Sequence, residues 1–223
     1  MKKQMNIFLV FLMLFLCISS GDVLAGVNKN KAKSGKLSKP TVQNQFTLGG
    51  NNWNVEMTNY GSYAQDVAGR LPNSGGSGGE FPKGTEIYII YAAGFQVGAL
   101  VNGVPKVSVI DFDSEFQPGA LEKTNAYDTT EVPRATDPGS ATNKLFALYG
   151  DLSDGTPVGS NGDATDDLAN WPSQYGAPTR PDGTPLVIGD LMSWSVYNDM
   201  DRSRHTIPDD SQTDPLGIEV QQA

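Results

Sequence analysis

The chain has 223 residues, 25 Asp and Glu against 16 Lys and Arg, a formal charge of −9, one cysteine and one histidine. One thiol makes no internal disulfide, and one imidazole makes no multi-histidine zinc or iron centre. Net acidity repels phosphate backbones, so nucleic acid is excluded as a partner of the domain.

The chain begins MKKQMN, with Lys2 and Lys3, followed by an unbroken apolar run from Ile7 to Ile18. Those 12 residues fall short of the roughly 20 needed to cross a bilayer. Basic start, short apolar stretch and the small-residue exit Val23-Leu24-Ala25 predict a signal peptide over 1–25, cleaved after Ala25. Lipid attachment at Cys17 is disfavoured because bulky Leu16 precedes it. Cleavage removes Cys17, so the mature chain is expected to be exported without thiols and without a transmembrane segment. Residues 26–43 hold five lysines and no acid, and predict a solvated, disordered linker. Beyond Lys39 there are 24 acids against 9 bases, and 44–223 is expected to be a single β-rich domain.

In QFTLGG and NNWNVEMTNYG, Trp53, Val55 and Met57 alternate with Asn54, Glu56 and Thr58, the period of a half-buried strand. The following LPNSGGSGGEFPKG is glycine-rich and predicts loop. Its Gly75-Gly76-Ser77-Gly78-Gly79 matches a nucleophile elbow only formally, since an elbow needs a strand before it and a helix after it. Between Glu86 and Phe112, strand formers flank Asn102-Gly103, the preferred two-residue turn pair, which predicts a hairpin. Its apolar content, including Val107 and Val109, predicts that it forms the centre of the fold. Gly94 and Gly98 suggest a bulge or a close backbone approach. From Asp113 to Pro185 long polar loops are expected, interrupted by KLFALYG, and PLVIGD, LMSWSVYND and LGIEVQQ then read as regular segments. In the second, Trp194, Val196 and Asn198 should face one side and Ser195, Tyr197 and Asp199 the other. No sustained amphipathic helix follows the signal peptide. The expected fold is all-β, an antiparallel β-sandwich with long irregular loops.

Two acidic groups are candidate ligands for Ca2+. Asp199, Asp201 and Ser203 have the alternate spacing of a calcium loop, without the glycine and final glutamate of an EF-hand. Asp163, Asp166 and Asp167 follow Asn161, with Asp151 and Asp154 upstream. Calcium takes about six to eight oxygens, so a shared site requires both groups to converge. The alternative is that these side chains cap turns. His205 closes the first group, and is read as a non-catalytic turn residue rather than part of a Ser-His-Asp arrangement. Trp53, Tyr60, Tyr63, Trp171, Tyr175, Trp194 and Tyr197 either build a sugar-stacking platform or pack the core, and core packing is the expectation. No carboxylate pair stands out for glycoside hydrolysis.

The succession GGSGGEFPKGTEIYIIYAAGFQVGALVNGVPKVSV, DLANWPSQYGAP, DGTPLVIGDLMSWSVYNDMDRSRHT and DPLGIEVQQ resembles the N-terminal region of large secreted bacterial surface proteins. These are the kind that carry a C-terminal sorting domain for type IX secretion. The resemblance runs from about Phe46 to Gln222 and supplies no catalytic residues. Such proteins continue well past the position of Ala223, so the chain is read as a truncated or short relative. The resemblance implies a secreted or cell-surface, non-catalytic structural or interaction module, with a protein or surface partner and scope for self-association. The alternative is an accessory N-terminal domain of a secreted hydrolase acting on polysaccharide or protein.

Overall fold

A computed structural model describes residues 45–110, 114–152, 164–205 and 214–223. The predicted signal peptide and the whole of the predicted linker lie outside them. The strands, in chain order, are β1 (Gln45–Leu48), β2 (Asn54–Thr58), β3 (Gly79–Glu80), β4 (Tyr88–Ile90), β5 (Gln96–Val101), β6 (Val104–Val109), β7 (Gln117–Pro118), β8 (Leu121–Glu122), β9 (Arg134–Ala135), β10 (Phe146–Tyr149), β11 (Leu191–Asn198) and β12 (Glu219–Gln222). The fold is all-β and antiparallel, as the sequence predicts. Among the described residues one short helix, α1 (Ala164–Ala169), and three 3-10 turns are the helical segments, and no helix is long and apolar enough to cross a membrane.

One sheet has the order β1-β2-β3-β4. Its inner face carries Phe46 opposite Met57 and Leu48 opposite Val55, and these pack on Leu145 and Ala147 at and beside β10. The second sheet is built around β11, which pairs β10 along its first half and β7 and β12 along its second. β11 is the longest strand, and every residue after Leu191 in it is buried. Its alternation feeds two cores. Met192, Trp194 and Val196 join Phe146, Leu148, Trp171 and Val187, whereas Tyr197 joins Ile110 and Phe116. The predicted facing of this strand is therefore observed, and the second sheet is covered on both sides.

Three expectations are corrected. The Glu86–Phe112 hairpin forms, with Asn102 at φ 52 and Gly103 at φ 80, but it is not the centre of the fold. Leu100 is 72% exposed, Val104 56% and Val107 52%. Its outgoing arm is divided, because Tyr88–Ile90 joins the first sheet and only Gln96–Val101 pairs with β6. The division falls at Gly94, where a Cβ would lie 2.4 Å from the Ile110 carbonyl oxygen, the predicted close approach. The glycine-rich stretch is not all loop, since Gly79–Glu80 is an inner strand between β2 and β4. A Cβ on Gly79 would sit 2.7 Å from that of Ile90, so the absence of a side chain lets these backbones meet. No helix follows this serine-bearing run, so no nucleophile elbow exists there. Finally, PLVIGD makes no regular strand. Val187 fills the core and Ile188 is 71% exposed.

Candidate functional site

Asp199 immediately follows β11 and is fully buried. Its Oδ2 accepts from the Ser108 hydroxyl and the Leu216 N–H, each at 2.7 Å. Its Oδ1 accepts from the N–H groups of Gly217 at 3.0 Å and Ile218 at 2.7 Å. Four donors use the lone pairs that a cation would need. Asp201 instead caps a 3-10 turn, with Oδ1 accepting from the Ser203 N–H and hydroxyl and Oδ2 lying 3.2 Å from Arg204 Nε.

His205 is also fully buried. Its Nε2 lies 2.7 Å from the Asp199 main-chain carbonyl, and its Nδ1 lies 3.8 Å from Glu115 Oε2. That carboxylate also accepts from the Val109 N–H at 2.8 Å. Burial pushes the Glu115 carboxyl up, against the pull of His205 and the Val109 N–H. Ser, His and Asp are thus assembled in the wrong order for a nucleophile. The hydroxyl donates straight to the carboxylate, the imidazole reaches only the aspartate's main chain, and Ser108 has no exposed surface. The arrangement is a buried polar knot that ties the base of the β5–β6 hairpin to the end of β11.

The second acidic group is held by Lys144. Its ammonium contacts Asp166 and lies 2.6 Å from Asp167 Oδ1. The hydrogen bond from Lys144 to Asp166 holds the Asp166 carboxyl below the usual carboxylate range. Asp167 is buried in α1, and its Oδ2 accepts from the Ala147 N–H at 2.8 Å, anchoring the helix to β10. Asp163, Asn161 and Asp154 lie outside the described residues. The described members of the two groups bond to separate parts of the fold, and among the described residues no three His, Cys, Asp or Glu side chains converge on a metal position.

Sequence reasoning missed a polar cluster on the outer face of β1–β2. Glu56 has no exposed surface, yet its carboxylate accepts from Gln45, Thr47 and, at 2.6 Å, Arg70. Asp66 accepts from the N–H groups of Arg70 at 2.9 Å and Leu71 at 2.8 Å. The signal was the alternation itself, because it placed Glu56 on a polar face without saying that a loop covers that face.

Two accessible surfaces among the described residues bear on function. The first is the hairpin. The second is a cleft of about 380 Å3 where the β1–β2 turn meets the start of β11. Leu48, Val55 and Leu191 contribute apolar lining, Trp53 an aromatic wall, and Asn51 and Asp190 polar groups. The other named aromatics lie elsewhere. Tyr60, Trp171, Trp194 and Tyr197 are buried, and half-buried Tyr175 donates its hydroxyl to Glu122 at 3.2 Å. The seven do not form one platform. Comparison with known proteins finds no matching family model, no similar characterised protein and no similar solved structure.

Proposed function

We propose that this chain is an exported, non-catalytic interaction module that pairs with a second copy of itself through the β5–β6 hairpin. The observation that carries the reading is an apolar hairpin exposed on both faces. Leu100 and Val107 lie on one face and Val104 on the other, all more than half exposed. An isolated two-stranded ribbon is marginally stable in water, so added strands would stabilise it. The burial of the chain's single histidine, and the hydrogen-bonded state of Asp199 and Ser108, support a non-catalytic reading. The signal-peptide pattern and the resemblance to secreted surface proteins support export.

A second copy is favoured by edge chemistry and charge. In a two-residue hairpin the residues flanking the turn, here Val101 and Val104, form the hydrogen-bonded pair, so Leu100 and Pro105 form the next, non-hydrogen-bonded pair. The nitrogen of Pro105 then faces outward and blunts the β6 edge. β5 reads QVGALV, with no proline and no charge, and its outer edge pairs with no strand among the described residues. Residues 87–110 carry one charged side chain, Lys106, in an otherwise acidic body. Two copies therefore repel each other over most of their surface and meet without like-charge opposition along β5, antiparallel across a two-fold axis.

Sedimentation of the Gly26–Ala223 protein should show a concentration-dependent dimer. Leu100→Asp, which sets two carboxylates near each other across the axis, should leave a folded monomer. A wild type that stays monomeric up to its solubility limit overturns the reading.

A further inference from the structure

We propose that the Trp53 cleft is a binding subsite for a neutral hexopyranose unit of a polysaccharide. Its volume of about 380 Å3 lies at the small end of the roughly 300–1,000 Å3 range of ligand sites. The lining has the two kinds of surface that a sugar ring presents. Indole and the aliphatic side chains of Leu48, Val55 and Leu191 suit the C–H face of a pyranose. Asp190 and Asn51 suit its hydroxyls.

The aromatic wall is held in place before any ligand arrives. The Phe81 ring packs against Trp53 with centroids 4.7 Å apart and planes 34° from parallel. Phe81 is not part of the cleft lining, so this ring contact holds the indole without occupying the cleft. The Trp53 main-chain N–H donates to Asn51 Oδ1 at 2.8 Å, which fixes the Asn51 amide with its NH2 group as the end left for a ligand. Lys83 ties the same turn, its ammonium to the Gly49 carbonyl at 2.6 Å and its main-chain N–H to the Asn52 carbonyl at 2.9 Å. Across the cleft, the Gly150 N–H holds the Asp190 carbonyl at 3.0 Å, at the entry to β11.

Hydrogen-bonding capacity is left over. Among the described residues neither the Trp53 indole N–H nor the Asp190 carboxylate has a hydrogen-bond or ion-pair partner, whereas the buried Trp171 indole donates to the Pro178 carbonyl at 2.9 Å. A stacking face, one N–H donor, one amide donor and one carboxylate acceptor match the alternating C–H and hydroxyl character of a pyranose. The cleft is open rather than enclosed, so a chain can continue on either side of the bound unit. This site is on the β1–β2 side of the domain and does not include the hairpin.

Affinity electrophoresis of the Gly26–Ala223 protein through gels containing hydroxyethylcellulose, soluble starch or galactomannan, all built of hexopyranose units, tests the assignment. Retardation is expected in at least one gel. Trp53→Ala should weaken the affinity by about tenfold or more, the scale of losing an aromatic anchor. Asp190→Ala, at an exposed position, should weaken binding without moving the thermal midpoint, which separates a lost contact from a lost fold. Leu100→Asp should be retarded as the wild type is, which keeps this result independent of self-association. No retardation in any gel, retardation unchanged in Asp190→Ala and Trp53→Ala, or displacement of the sugar by a lysine-rich peptide would overturn it.

Discussion

Asp199 joins distant parts of this domain, because its four donors come from two separate stretches of chain. A buried donor left without an acceptor costs about 1–3 kcal/mol. Asp199→Ala should therefore lower stability in a urea melt by about 3 kcal/mol or more, since three main-chain N–H groups and a hydroxyl lose their partner at once. Asp199→Asn keeps one carbonyl acceptor and should lose less, about 1–2 kcal/mol. Asp66 gives a pH signature. Burial alone would raise its carboxyl, but the N–H groups of Leu71 and Arg70, with Gln45 and Ser74, outweigh that and hold it below its ordinary value of 3.8. The folded state thus favours the ionised form. Its contribution is full above the unfolded value and is lost as pH falls through the lower, folded one. The stability gap between wild type and Asp66→Asn should accordingly be wide near pH 7 and shrink towards about pH 3 in urea melts.

Strand burial, rather than strand hydrophobicity, separates β11 from the hairpin. Trp194 is 2% exposed, with Phe146 and Trp171 ring centroids 6.3 and 6.5 Å away, so Trp194→Ala should cost about 3–5 kcal/mol. Val107, on the exposed arm, should tolerate Asp with a change within about 0.5 kcal/mol in the monomer. Denaturant melts of the two variants check the contrast, and a Val107→Asp protein that unfolds would return the hairpin to the core. The hairpin's existence was legible because Asn102-Gly103 is a local signal that needs only two left-handed residues. Its burial was not legible, since an apolar side chain is equally suited to the core of its own chain and to that of a partner. β3 was hidden for a related reason. Glycine usually marks loops, and only the position of Ile90 shows why an inner strand needs Gly79 without a side chain.

At the scale of the whole molecule, two sheets share the Phe46, Met57, Leu145 and Ala147 core, and β11 is buried from both sides. The dimer reading predicts that the thermal midpoint rises with protein concentration, because association that favours the folded state adds stability by mass action. Leu100→Asp should remove that dependence, and scanning calorimetry over a dilution series reads it directly. Period-2 alternation, a two-residue turn and the absence of helical periodicity were enough to determine an antiparallel all-β chain, because these signals act over a few residues. The scarcity of Cys and His likewise limited the chemistry from composition alone. Only the tertiary structure decided which strands lie inside and where the acids act. It turned the candidate cation ligands Asp199, Asp201, Asp166 and Asp167 into hydrogen-bond acceptors, caps and ion-pair partners. A carboxylate's role depends on the donors that distant segments bring to it, and Ser108 meets Asp199 across 91 positions of chain, a distance over which no local pattern operates.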